Sequence, residues 1–255
     1  MTDDLSFDLN TTLYDAPGKH GRTGVIHTPH GPIQTPAFIP VATKATVKTL
    51  TPEQIHQTGA QAILSNAYHL YLQPGPDIVD EAGGVAAFEN WDGPTYTDSG
   101  GFQVMSLGVG FKKVLAMDTA GLTEKDIRAE KRKRMAMVDE DGVDFKSVID
   151  GSKHRFTPEV SMQIQHQLGA DIMFAFDELT TLVDTRDYQE RSVERTHRWA
   201  KRCLDGGEDV IRLRNAQQVT WLVHGQLVGD PADDGAQIFL LKGAADAEPA
   251  EAASA

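Results

Sequence analysis

The chain repeats a short grammar that few folds accommodate. Thr51-Pro52-Glu53-Gln54 reads as a helix start: the threonine caps, the proline suits the first helical position, and Gln54 can close a capping box. Gly59 supplies a stop, Ala62-Ile63-Leu64 a short buried strand, and Ser65-Asn66 a polar tip. The order recurs later. Thr157-Pro158-Glu159 starts a helix with Val160, Ile164 and Leu168 on one stripe, Gly169 stops it, and Ile172 to Phe176 is a strand ending in Asp177. Helix, glycine, buried strand, polar tip is the unit of a parallel α/β fold. Where the polar tips carry chemistry, a (β/α)8 TIM barrel is the leading architecture and a doubly wound sheet the alternative; periodicity alone does not separate them.

Other segments depart from this grammar. Gly24 to Phe38 has β-type residues broken by Pro29-His30-Gly31, which predicts a hairpin outside the repeating units or across the barrel floor. Gly108 to Gly142 is polar and contains the basic run Arg128 to Arg134; it reads as an insertion, at about 108–138, with one amphipathic helix. A basic run is most often a solvated helix face, and an RNA-phosphate contact is the other reading. Val219 to Val223 suits one more strand. Residues 1–228 therefore read as a partial barrel, incomplete at its C-terminal end. Residues 229–255, acidic and alanine-rich, read as a disordered tail.

Composition narrows the class. With 255 residues, 40% hydrophobic and 24% charged, the chain is long enough for one large α/β domain. It has no apolar run of membrane-spanning length, and Met1-Thr2-Asp3-Asp4 opens no secretory signal. The single cysteine, Cys203, excludes an internal disulfide and any multi-cysteine zinc site within the chain. A cytoplasmic protein without a membrane partner is expected. The net charge of −13 argues against broad nucleic-acid affinity, although one basic face would overcome it.

The polar tips hold the candidate chemistry. Thr97-Asp98-Ser99-Gly100-Gly101-Phe102-Gln103-Val104 and Phe174-Ala175-Phe176-Asp177-Glu178 each run an apolar stretch into an abrupt carboxylate. Taken alone, the first could be an ordinary turn and the second a helix cap. A carboxylate at a strand end, beside exposed backbone N–H groups, also suits recognition of a polar ring and proton transfer. Ser99, Gly100 and Gly101 offer N–H groups, the glycines allow close approach, and Phe102 offers a flat face for stacking. Tyr68, His69, His154 and His197 read as structural.

Seven stretches together resemble the bacterial tRNA-guanine transglycosylases. They are Thr35 to Val41, Lys44 to Lys48, Leu64 to Leu70 with Gln73-Pro74-Gly75, Thr97 to Leu107, Asp150 to His154, Leu168 to Glu178, and Thr196 to Ala200, collinear across about residues 7–204. The resemblance implies a TIM barrel with a zinc-bearing subdomain, and an enzyme that exchanges guanine at the tRNA wobble position for a 7-deazaguanine in queuosine biosynthesis. It implies tRNA and guanine or 7-aminomethyl-7-deazaguanine as partners, and a homodimer. Asp177 matches the aspartate that accepts from guanine N1–H and the 2-amino group. Asp98 matches a residue that contacts the same purine and is described as an acid/base. His224, in Val223-His224-Gly225-Gln226, stands near the place of a base-contacting glutamine.

The chain also departs from the family. No segment matches the aspartate nucleophile that attacks C1′ of the ribose, and the family's zinc ligands, three close cysteines and a distant histidine, are absent from this chain. Leu179-Thr180-Thr181-Leu182 replaces a cysteine-threonine-proline run. These departures predict a truncated or frame-disrupted member that is incomplete for catalysis, or a barrel that borrows its second half. A non-catalytic tRNA-binding or dimer partner that keeps the purine pocket is the alternative function. A glycoside hydrolase using two carboxylates on a barrel shares the fold without any matching motif.

Overall fold

The two Thr-Pro starts behave as their chemistry dictates. In a computed structural model that describes residues 6–12, 22–104, 136–180, 184–205 and 239–241, α1 spans Pro52–Gln57. Thr51 caps it: its side chain accepts from the Gln54 N–H while the Gln54 side chain accepts from the Thr51 N–H. The second such helix is α5 (Pro158–Leu168), preceded in chain order by α2 (Ala67–Leu72), α3 (Pro76–Glu81) and α4 (Val85–Phe88). Thr157 caps α5 through the Val160 N–H. Gly169, at φ +69°, ends it in the left-handed conformation that a side chain would disfavour. The last helix, α6, is Arg186–Asp205.

The strands form three sheets. β1 (Ser6–Thr12), β2 (Arg22–Thr28) and β3 (Gly31–Thr35) make an antiparallel sheet. The five-stranded sheet contains β4 (Val41–Ala42), β5 (Ile63–Ser65), β6 (Thr95–Thr97), β10 (Ile172–Phe174) and β11 (Phe239–Leu241). Its order is β11-β10-β6-β5-β4, with β4, β5, β6 and β10 parallel and β11 antiparallel to β10. β7 (Ala136–Val138), β8 (Val143–Lys146) and β9 (Lys153–Phe156) form an antiparallel meander. This is an α/β fold with mixed sheets. A closed barrel is not formed among the described residues, so the architecture is established only at that coarser level.

The predicted hairpin is present, with Thr28 opposite Gly31 across the Pro29-His30 turn. It covers the N-terminal end of the parallel strands. Ile33 is buried against Ala62, Tyr96, Ile172 and Phe174, with Leu64 at the margin. His30 Nδ1 lies 2.7 Å from Asp171 Oδ1, and Asp171 Oδ2 accepts the Thr95 N–H at 2.9 Å. On the opposite face, Met173 and Ala175 join Tyr68, Val79, Met162 and Leu168 of the helices in the largest apolar cluster.

Several boundaries differ from expectation. β5 runs one residue later than Ala62–Leu64, and β10 stops at Phe174, not Phe176, where the Phe176 N–H goes to Cys203 Sγ in place of a neighbouring strand. Residues 136–138, assigned by sequence to the insertion, are strand β7. Phe239–Leu241, assigned to the disordered tail, pair with β10. An acidic, alanine-rich average concealed the run Ile238-Phe239-Leu240-Leu241. The basic run 128–134, the strand expected at 219–223 and His224 lie outside the described residues.

One buried contact fixes a proton. The Ser65 hydroxyl is 3.0 Å from the Ala42 carbonyl oxygen and 3.0 Å from Glu89 Oε2. A hydroxyl has one hydrogen, so both contacts are satisfied only if Glu89 is protonated and donates to Ser65, which donates to Ala42. Burial agrees, pushing the Glu89 carboxyl up to about 8 despite the Ser65 hydrogen bond. Below the ordinary carboxylate range the folded and unfolded states both hold this proton. As pH rises toward 8 the unfolded state releases it first, so stability falls across that window. Glu89→Gln keeps the donor and removes the slope. Urea denaturation is expected to show it equal to wild type near pH 4 and more stable by about 2 kcal/mol at pH 8, after discounting for partial solvent access.

Candidate functional site

The site is built where β6 and β10 end side by side. Met173 of β10 pairs with Thr97 of β6, which brings the following loops together. Asp98 leaves β6, and its carboxylate is enclosed by donors. Oδ1 accepts the Ala67 N–H at 2.8 Å; Oδ2 accepts Asn66 Nδ2 at 2.6 Å and Gln103 Nε2 at 2.8 Å. The Gly100 N–H adds a fourth donor. Burial still raises the Asp98 pKa above its ordinary value, because loss of water outweighs these donors.

Asp177 is held differently. Its Oδ1 accepts the Ser99 hydroxyl at 2.9 Å, the only side-chain hydrogen bond it receives among the described residues. Ser99 Oγ in turn accepts the Gly101 N–H at 3.1 Å, so the hydroxyl hydrogen is free to point at Asp177. Burial raises the Asp177 pKa as well, and the nearby Asp98 charge adds to the rise. The two carboxylates therefore share one site and differ in what they can still accept. Asp98 has a donor for nearly every lone pair; Asp177 keeps open acceptor positions.

The glycines are required by shape. A Cβ on Gly101 would lie 2.7 Å from both the Asp177 carbonyl oxygen and Asp177 Oδ1. Gly100 has φ +79°, and its Cβ would meet Phe156 at 3.0 Å. The N–H groups of Gly100 and Gly101 are engaged by Asp98 and Ser99, so in this arrangement they hold the loop together. Phe102 follows, 38% exposed, on the helical residues 101–104. Tyr68 is fully buried, and His154 contacts Tyr71 Oη and Ser152 Oγ, as structural residues would.

Sequence reasoning missed the groups that orient these residues. Asn66 was visible as a strand tip and Gln103 as part of the Asp98 motif, yet nothing local says that both reach Asp98. Gln165 gives no local signal either. Fully buried on α5, it accepts from Thr97 Oγ1 at 2.9 Å and from the Phe174 N–H at 3.1 Å, and donates to the Phe174 carbonyl oxygen at 2.8 Å. One turn earlier, Ser161 donates to the Ser99 carbonyl oxygen at 2.7 Å. Both strand ends and the Asp98 loop are thus tied to one helix.

The family model described as queuine tRNA-ribosyltransferase matches residues 16–231. A queuine tRNA-ribosyltransferase of Halalkalibacterium halodurans is 45% identical over 234 residues, covering 83% of this chain and 55% of its own length. That of Desulforamulus reducens is 50% identical over 224 residues, covering 87% and 52%. That of Staphylococcus aureus strain JH9 is 50% identical over 184 residues, covering 72% and 42%. The chain belongs to the queuine tRNA-ribosyltransferase family. It spans about half the length of the curated relatives it matches.

Zinc, which the family binds, does not fit the described residues. No three of their His, Cys, Asp or Glu side chains gather as a metal site. Cys203 is buried, its Sγ accepts the Phe176 N–H at 3.3 Å, and burial pushes its thiol up to about 12, where a thiolate ligand is disfavoured. Among the described residues no helix is long and apolar enough to cross a membrane.

Gly101 offers a direct check on the shared site. In Gly101→Ala the new methyl displaces Asp177 or the loop, with an expected stability loss of about 1–3 kcal/mol by thermal unfolding. Ser99→Ala removes two hydrogen bonds, one given to Asp177 and one accepted from the Gly101 N–H, without the clash, and is expected to cost about 1–3 kcal/mol. A Gly101→Ala chain as stable as the wild type would contradict the close packing of the loop against Asp177.

Proposed function

We propose that this chain carries the base-recognition part of a tRNA-guanine transglycosylase, a pentosyltransferase that exchanges guanine in tRNA for a 7-deazaguanine during queuosine biosynthesis. The observation that carries the reading is the contrast between the two carboxylates. Asp177 has open acceptor positions and sits against a glycine floor, which suits two adjacent donors on a flat ring. Guanine presents N1–H and the 2-amino group in that form, and a carboxylate can accept from both. Asp98, within the same site, is the candidate acid/base. Ser99 orients Asp177, Gly100 and Gly101 make room for the ring, and Phe102 is the candidate stacking face. His224 is a further candidate base contact. The partners are tRNA and guanine or 7-aminomethyl-7-deazaguanine, with a second copy of the chain as the dimer partner and the cytoplasm as the location.

The chemistry divides between residues the chain has and one it does not match. When the glycosidic bond breaks, its electron pair passes to the departing guanine, and a proton delivered to the ring lowers the barrier. Asp98 is the candidate to hold that proton by its family match: burial raises its pKa, while the four donors on its oxygens favour the ionised form. C1′ of the ribose must then be held by a carboxylate until the incoming base attacks and displaces it. No segment of this chain matches the family nucleophile. That observation favours a second reading, in which the chain is a non-catalytic tRNA-binding or dimer partner that retains the purine pocket.

Two measurements test the base site that both readings share and the catalytic competence of the chain. In titration calorimetry with guanine, Asp177→Asn is expected to weaken binding by about 2–4 kcal/mol, because the amide presents a donor to a donor. Phe102→Leu is expected to lose less. Equal losses would contradict the assigned roles. In the second measurement, the purified 255-residue chain is offered radiolabelled guanine and unmodified tRNA. It is expected to incorporate no label above background. Incorporation at an enzymatic rate would mean that another residue acts as nucleophile, with Asp98 the first to substitute.

A further inference from the structure

Glu178 has no task in the reading above, yet its side chain and backbone are both engaged by one helix. Its carboxylate has no exposed surface, and such burial costs several kcal/mol unless the charge is paired. Arg195 supplies the pairing guanidinium through Nη1, and the Tyr188 hydroxyl donates to Oε1 at 2.5 Å. The backbone is held too. The Glu178 N–H donates to Thr196 Oγ1 at 3.1 Å, and Ser192 Oγ donates to the Glu178 carbonyl oxygen at 3.1 Å. On the other side of Asp177, the Phe176 N–H goes to Cys203 Sγ and the Phe176 ring stacks on Trp199 at 5.1 Å. All six partners, Tyr188, Ser192, Arg195, Thr196, Trp199 and Cys203, recur at helical spacing along one face of α6.

Phe176 and Glu178 thus engage the helix while Asp177, between them, engages Ser99 on the site side. This alternation is that of extended chain, and it leaves Asp177 little freedom to withdraw. The helix is itself anchored. Arg195 and Arg198 bind the Glu140 carboxylate, Trp199 Nε1 donates to the Glu140 carbonyl oxygen at 2.8 Å, and Arg202 pairs with Glu159 at 2.7 Å. We propose that Glu178, clamped by Tyr188, Ser192, Arg195 and Thr196 of α6, is the positioning residue that holds Asp177 in its base-accepting orientation. The consequence for base affinity rests on the reading of Asp177 as the guanine acceptor; the clamp itself does not.

The test uses the full chain with carbon-13 in its aspartate carboxyls, the Asp177 resonance being assigned by its loss in Asp177→Asn. Burial holds the wild-type Asp177 titration above the ordinary carboxylate range. Glu178→Gln removes the charge pairing, and Thr196→Val removes one backbone contact with little change of shape, which keeps the test open if the first variant unfolds. In both, the loosened loop admits water, and the Asp177 midpoint is expected to move down toward the ordinary range. Arg202→Ala loosens the same helix without touching Glu178 and is expected to leave the midpoint in place. An unmoved midpoint in every folded clamp variant, or an equal movement in Arg202→Ala, overturns the proposal. Guanine calorimetry on the same samples is expected to show about tenfold weaker binding in Glu178→Gln. A wild-type chain that ignores guanine while its Asp177 midpoint still responds to the clamp variants would refute the base reading alone. Guanine binding with an unresponsive midpoint would refute the clamp alone.

Discussion

Gln165 is the constraint on which the site depends. A single amide, fully buried on α5, completes the hydrogen bonding of Phe174 at both its N–H and its carbonyl oxygen and also takes the Thr97 hydroxyl. Phe174 is the last residue of β10, where it lies opposite Phe239 of β11, and Thr97 is the last of β6. The amide ties the end of β10 to the Thr97 side chain at the end of β6. Two strands that stop together are what set Asp98 and Asp177 side by side. Replacing Gln165 by an apolar residue of similar size would remove all three contacts at once and strand buried donors and acceptors, each costing about 1–3 kcal/mol.

A second constraint follows from the first. Two carboxylates placed together in low dielectric resist ionising together, and here burial raises both, with the Asp98 charge acting further on Asp177. The protein answers with unequal hydrogen bonding. Four donors converge on Asp98, from Asn66, Ala67, Gln103 and Gly100, whereas the Asp177 carboxylate has the Ser99 hydroxyl and its own backbone N–H. Inequality of this kind assigns roles to a pair of otherwise similar acids. The donor-rich carboxylate is fixed in place, and, on the proposed reading, the donor-poor one is completed by the N–H groups of the base.

Much of this was legible from residue order, for reasons that are local. Thr51 and Thr157 cap helices because a hydroxyl before a proline has one obvious partner, the N–H groups of the first turn. Gly169 ends α5 because its neighbours cannot adopt a left-handed turn as cheaply. The Asp98 motif and Asp177 were legible as strand tips, and their family resemblance brought them to one site, which the Ser99 bridge now gives a geometry. The clamp partners were not legible. Gln165 lies 68 residues from Thr97, and Arg195 lies 17 from Glu178, across a loop. A buried glutamine or serine looks, in sequence, like any polar position on a helix. Its partner is chosen by the fold, and only the fold reveals it. The short strand at 239–241 was hidden for the opposite reason: four apolar residues were averaged into an acidic tail.

The division between α5 and α6 suggests how such a site keeps its shape while presenting an unsatisfied acceptor. An open carboxylate that moved freely would turn toward the nearest protein donor, and the recognition surface would close on itself. Here α5 fixes the Asp98 side through Ser161 and Gln165, and α6 fixes the flanks of Asp177 through Cys203, Trp199 and the partners of Glu178. Neither helix donates to the Asp177 carboxylate among the described residues. The donors needed to stabilise the loop have been directed to its neighbours, so rigidity comes from residues 176 and 178 while residue 177 stays available. Preorganisation of this form lowers the entropic cost of binding a small planar ring, because the acceptor does not have to be ordered when the ring arrives. It also explains why the acid paired with an arginine is Glu178, whose partners all lie on α6.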